Sequence, residues 1–169
     1  MLTFETINEL TLKVTCTGND VLFTKAGAFI AGENAGGKNY RFEKVLFGPQ
    51  SNLGQAVLNS LARRVTKENL PLMKVNLNGD SVTYYANYGQ HVVVYHLEPG
   101  ETISVESENI LAFSQDCDYS VRFIGVGVLS QKGLATSTLT GRGKDAYVAV
   151  LSDGNPIVLS NVYSRDTIA

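Results

Sequence analysis

The stretch "YGQHVVVYHLEPGET", residues 88 to 102, sets His91, His96, Glu98 and Glu101 beside a Pro-Gly turn, the residue types of a metal centre. A cupin-like small-molecule or metal-binding β-barrel, with or without enzymatic activity, would take His96, Glu98 and Glu101 as its ligands. The spacing argues against it. Two histidines five apart on one strand point to opposite faces and cannot share an ion. His96 and Glu98 do share a face, but two ligands make an incomplete site. Strand histidines that are exposed or hydrogen-bonded explain the pattern as well, so no metal and no other cofactor is expected.

Nucleophilic catalysis fares no better. Cys117 and Ser130 lack a recognisable nucleophile elbow, and the chain offers only two histidines as bases. In "QDCDY" the carboxylates of Asp116 and Asp118 flank Cys117, which predicts a raised thiol pKa and a structural role. The glycine-bearing loops "GENAGGK" and "GVGVLSQKG" match neither a P-loop nor a dinucleotide fingerprint ahead of a helix. Glu106 and Glu108 read as a solvated strand face rather than a glycosidase pair.

Anion or partner contact has one candidate. Arg63, Arg64 and Lys67 gather in "LARRVTKENLPLMKV", where they could meet phosphate, an anionic surface or a protein. They also have a purely structural reason to be there. In "PQSNLGQAVLNSLARRVT", Leu53, Val57, Leu61 and Val65 recur every four residues, which predicts one amphipathic helix at about 51–66. Ser51 or Asn52 would cap its first amides, and cations at its last turn complement the helix dipole before Pro71 stops it. RNA reading would draw on Tyr84, Tyr85, Tyr88 and Tyr95 as stacking platforms, yet no arginine or lysine lies between 75 and 121. Nucleic acid is an unlikely partner.

The elements that would position these groups are strands. Apolar and polar residues alternate through "KVTCTG", "VLFTKAGAFIAG", "YRFEKVLFG", "SVTYYA", "HVVVYHLEPG", "TISVES", "NILAFS", "YSVRFIGVGVL", "LATSTLTG", "DAYVAVLS" and "PIVLSNVY". Sixteen glycines, four prolines and a charged fraction of 18%, below the usual quarter, fit many turns between short strands. "LEPGET" suits a type II turn and predicts a hairpin, with "GRGKD" and "SDGNP" as further turns. An all-β chain of stacked sandwich units follows.

The 169 residues fit one domain, and the net charge of −2 supplies no cationic field for nucleic acid. Cys16 and Cys117, a hundred residues apart, form neither a disulfide framework nor a zinc set, which fits a reducing, cytoplasmic setting. The amino terminus has no signal-peptide pattern, and no apolar window approaches the roughly 20 residues of a membrane span.

An internal repeat is also legible. At an offset of 62, Leu77 meets Leu139, Gly79 meets Gly141 and Tyr85 meets Tyr147. Together with a weaker copy around Gly18, this divides the single domain into units of about 10–75, 76–138 and 139–169. The last unit stops at Ala169 where its next strand is expected, so the chain is either naturally short or a fragment.

The run "LARRVTKENLPLMKV", the Gly79 turn, "YYANYGQ", "LEPGETISV", "NILAFS", "GLATSTLTGRG" and "PIVLSNVY" together resemble the altered-inheritance-of-mitochondria protein family. The likeness covers roughly residues 20 to 165. It implies a fold like that of the tryptophan RNA-binding attenuator protein, with β-sandwich units in internal symmetry and subunits assembled into rings or trimers. It brings no catalytic residues with it. The combined expectation is a non-enzymatic binding or scaffold module that forms a homo-oligomer and has a protein or small-molecule partner still to be identified.

Overall fold

A computed structural model describes residues 1–34, 39–45, 72–123 and 135–156. The expected helix at 51–66, with Arg63, Arg64 and Lys67, lies outside them, as do Ser130 and the strand expected from 157 onward.

Among the described residues, thirteen antiparallel strands form three sheets. The first has the order β1 (Leu2–Ile7), β2 (Thr11–Cys16), β7 (Ser81–Tyr85), β4 (Phe29–Asn34). The second runs β5 (Tyr40–Val45), β6 (Leu72–Asn78), β3 (Asn19–Lys25), β10 (Ile110–Ser114), β13 (Tyr147–Ser152), β8 (His91–His96). The third is β11 (Cys117–Phe123), β12 (Ala135–Gly141), β9 (Thr102–Glu106). Among the described residues the one helical element is a short 3-10 turn, Ser107–Asn109. The all-β sandwich expectation holds, and among the described residues no sheet closes into the barrel that a cupin-like site would need.

Alternation in the sequence becomes layering in space. In β2, Leu12, Val14 and Cys16 are buried while Thr11, Lys13 and Thr15 are not. The six-stranded sheet lies in the middle and is covered on both faces. Leu22, Val75, Leu77, Ala149 and Leu151 join Leu2, Phe4, Leu12 and Val14 of the first sheet in one core. Phe23, Phe113 and Val148, from the opposite face, join Leu139, Ile103 and Tyr119 of the third sheet in another. Central β10 is therefore buried at every position and shows no polar alternation.

Consecutive strands often cross from sheet to sheet, and two expectations change for that reason. The "LEPGET" turn forms as read: the Glu101 amide donates to the Glu98 carbonyl at 2.9 Å, and Gly100 takes φ +88°. It is not a hairpin, because β8 pairs with β13 whereas β9 pairs with β12. "VLFTKAGAFIAG" is two strands, β3 and β4, broken where Gly27 adopts φ +80°. The strand before the Gly79 turn is β6, whereas β1 carries no matching expectation from the sequence. The turn after β1 uses left-handed Asn8 and Glu9 (φ 53° and 60°), and glutamate is no signal for that conformation.

Candidate functional site

At one end of the stack, turns from different sheets are tied together. The β7–β8 connection is a tight turn over Asn87–Gln90, closed by the Gln90 amide donating to the Asn87 carbonyl at 2.9 Å. Both central residues are left-handed, Tyr88 at φ 44° and Gly89 at φ 71°. This is the type I′ pattern that suits glycine and asparagine, so a tyrosine there costs about 1–2 kcal/mol. Side chains hold the turn: Asn87 Nδ2 donates to Gln90 Oε1, and Gln90 Nε2 donates to Asp153 Oδ1, each at 2.6 Å. The turn after β1 joins the same end, with the Val92 amide donating to the Glu9 carbonyl at 2.8 Å and Glu9 standing 3.9 Å from His91.

Two large apolar side chains stand out among the polar residues of these turns. Tyr88 is 100% exposed and Leu10 is 37% exposed. The Tyr88 ring, wholly in water, contributes no packing to the fold.

The other sequence candidates are dispersed or occupied. His96 closes β8, stacks on Tyr147 with centroids 4.6 Å apart, and sets Nε2 2.7 Å from the Lys144 carbonyl. Glu101 turns its carboxylate back to accept the Glu98 amide at 3.0 Å. Among the described residues no group of three or more His, Cys, Asp or Glu stands together to hold a metal ion. Glu106 ends β9 and Glu108 lies in the 3-10 turn, so they do not share a strand face.

Cys117 is buried, with Ser114 Oγ 3.8 Å from its sulfur. Burial pushes its thiol up to about 11, the Ser114 hydrogen bond opposes that rise, and Asp116 adds to it. The rise matches expectation, but burial rather than the flanking carboxylates dominates it. Asp118 instead lies 2.9 Å from Arg142 Nε. Cys16 is raised as well, first by burial and then by Asp20.

The four tyrosines read as a possible stacking platform do not assemble. Tyr85 is a core residue, Tyr84 Oη lies 3.3 Å from Glu33, Tyr95 packs on the second core and Tyr88 stands in water. Exposure of Tyr88 was not legible, since a tyrosine in a strand-rich segment reads as packing; only the following glycine hinted at a turn.

The family model described as mitochondrial biogenesis AIM24 matches residues 4–167. The chain belongs to this AIM24 family. Its fold resembles an X-ray structure of a Streptococcus pyogenes protein from a structural genomics programme, at 17% identity and a TM-score of 0.63. The match covers 91% of this chain and 65% of that one, so the chain spans about two-thirds of its length. No curated protein matches. Among the described residues of this AIM24 member, no helix is long and apolar enough to cross a membrane.

Proposed function

We propose that this AIM24-family chain is a non-enzymatic binding or scaffold module that self-associates, with the Tyr88 end as a protein-contact surface. The observation that carries the reading is Tyr88 itself, wholly exposed at positive φ on a turn braced by Asn87, Gln90 and Asp153. Rigid aromatic anchors bind at low entropic cost, because little is left to order on contact. The suppressed thiols and the hydrogen-bonded His96 and Glu101 favour binding over catalysis.

An attenuator-like duplication is part of the same reading. In both proposed units a strand ends near the matched glycine and the next strand enters another sheet: β6 passes to β7 at Gly79, and β12 to β13 after Gly141. Repeated units of this kind suit assembly into a symmetric oligomer. Light scattering on the purified chain tests the proposal. A mass that is a multiple of 18.3 kDa is expected, reduced in Tyr88→Asn; a monomer at every concentration overturns self-association.

A further inference from the structure

The inner face of β7 carries three hydroxyls that the fold leaves unused. Ser81, Thr83 and Tyr85 alternate along the strand and are all buried. Their oxygens, Ser81 Oγ, Thr83 Oγ1 and Tyr85 Oη, have no geometrically sound hydrogen-bond partner and no contact with solvent. Thr83 lies close enough to Tyr85 to soften the rise in its phenol pKa, a rise set mainly by burial, but the two do not align into a bond. A buried hydroxyl without a partner costs about 1–3 kcal/mol, and three of them weigh heavily against a total stability of about 5–15 kcal/mol. Alanine, valine and phenylalanine would fill the same space without that cost.

What covers this face is aromatic. Gly32 of β4 pairs with Thr83, and the ring of Tyr40 occupies the space a side chain at Gly32 would need: a Cβ there would come within 2.6 Å of the ring. Phe29 bridges the covering rings, 5.5 Å from Tyr40, 4.8 Å from Phe42 and 5.9 Å from Tyr85. On the other side of β7 the register partners are Leu12, Val14 and Cys16. None of these side chains is charged at neutral pH, so a charged guest would lose its hydration with nothing to replace it.

We propose that the inner face of β7 is a gated site for a small neutral molecule with an apolar body and a hydroxyl or amide edge, with Ser81, Thr83 and Tyr85 as its hydrogen-bonding row and Tyr40 as the lid. The three oxygens have no solvent exposure, so entry of a guest would require the Tyr40 ring to leave its place against Gly32. The proposal is independent of the Tyr88 surface, which lies in the turn beyond the strand.

Benzamide is a suitable probe, with benzoate as its charged isostere and toluene as its apolar one. Nuclear magnetic resonance of the Thr83 methyl and the Tyr85 ring in the full chain should show saturable shifts with benzamide and none with benzoate. Toluene should bind more weakly. The double variant Thr83→Val/Tyr85→Phe should melt higher than wild type without probe and bind benzamide about tenfold more weakly or worse, as loss of two hydrogen bonds requires. Absence of saturable shifts in wild type overturns the proposal. So does a lower melting temperature for the guest-free double variant, because the hydroxyls would then already be satisfied.

Discussion

Gly141 lies against the backbone of the "LEPG" turn: a Cβ added to it would stand 2.6 Å from the Glu98 carbonyl oxygen and 2.9 Å from that of Leu97. The Gly141 amide donates to the Glu101 carbonyl at 2.9 Å, and its own carbonyl accepts the Gly100 amide at 2.8 Å. The turn that leads from β8 into β9 is thus clamped by the end of β12.

Gly141→Ala therefore forces backbone against backbone, with no flexible side chain to yield. The expected cost is about 1–3 kcal/mol, the range for overpacking a close contact. It should appear as a lower urea midpoint at unchanged slope. A midpoint equal to wild type would show that the clamp does not constrain the turn.

Phe113 holds the second core together. It is fully buried in β10 and stacks on Phe23 and Tyr119 at centroid distances of 5.2 and 5.0 Å. Phe113→Ala should cost about 3–5 kcal/mol and loosen the third sheet from the middle one. Phe113→Leu should recover more than half of the loss in a chemical denaturation series.

The fold class was legible because alternation survives where one face of a strand is buried and the other is not, as in β2. Sheet partners were not legible. "LEPGET" has every local mark of a hairpin, yet whether the strands on either side pair with each other is decided by long-range burial: Tyr95 and Val150 of the middle sheet face Ile103 and Val105 of the third. The candidate surface was hidden for the same reason. Within "ANYGQH" only Gly89 hints at a turn, and that does not by itself separate an exposed Tyr88 from the core residue Tyr85 three positions earlier.

The Cys117 thiol gives the fold a dependence on alkaline pH. Its folded pKa of about 11 lies above the ordinary 9.0. Between those values the unfolded chain gives up the proton first, so the contribution is intact below pH 9 and is lost as pH rises toward 11. The slope from this one group is at most about 1.4 kcal/mol per pH unit. Cys117→Ala should flatten that part of the stability profile relative to wild type. In the native protein at pH 8, Cys117 should resist a thiol reagent that labels the urea-unfolded chain at once. Rapid native labelling would show that the site opens locally.

Tyr88 separates the demands of folding from those of contact. A left-handed tyrosine strains the turn, and its ring, wholly in water, returns no packing energy. Asparagine accepts the same backbone conformation more readily. Tyr88→Asn should therefore leave stability equal to wild type or raise it by up to about 1 kcal/mol, while weakening whatever association the full chain shows. Tyr88→Phe keeps the ring, so it should keep the association while showing the same strain as wild type. A variant that binds less because it folds less would fail the first half of this test, and a Tyr88→Asn chain that is clearly less stable would mean the ring packs on a neighbour instead of standing free. The pairing of a stability gain with a binding loss is the signature of a residue retained for contact at the expense of the fold.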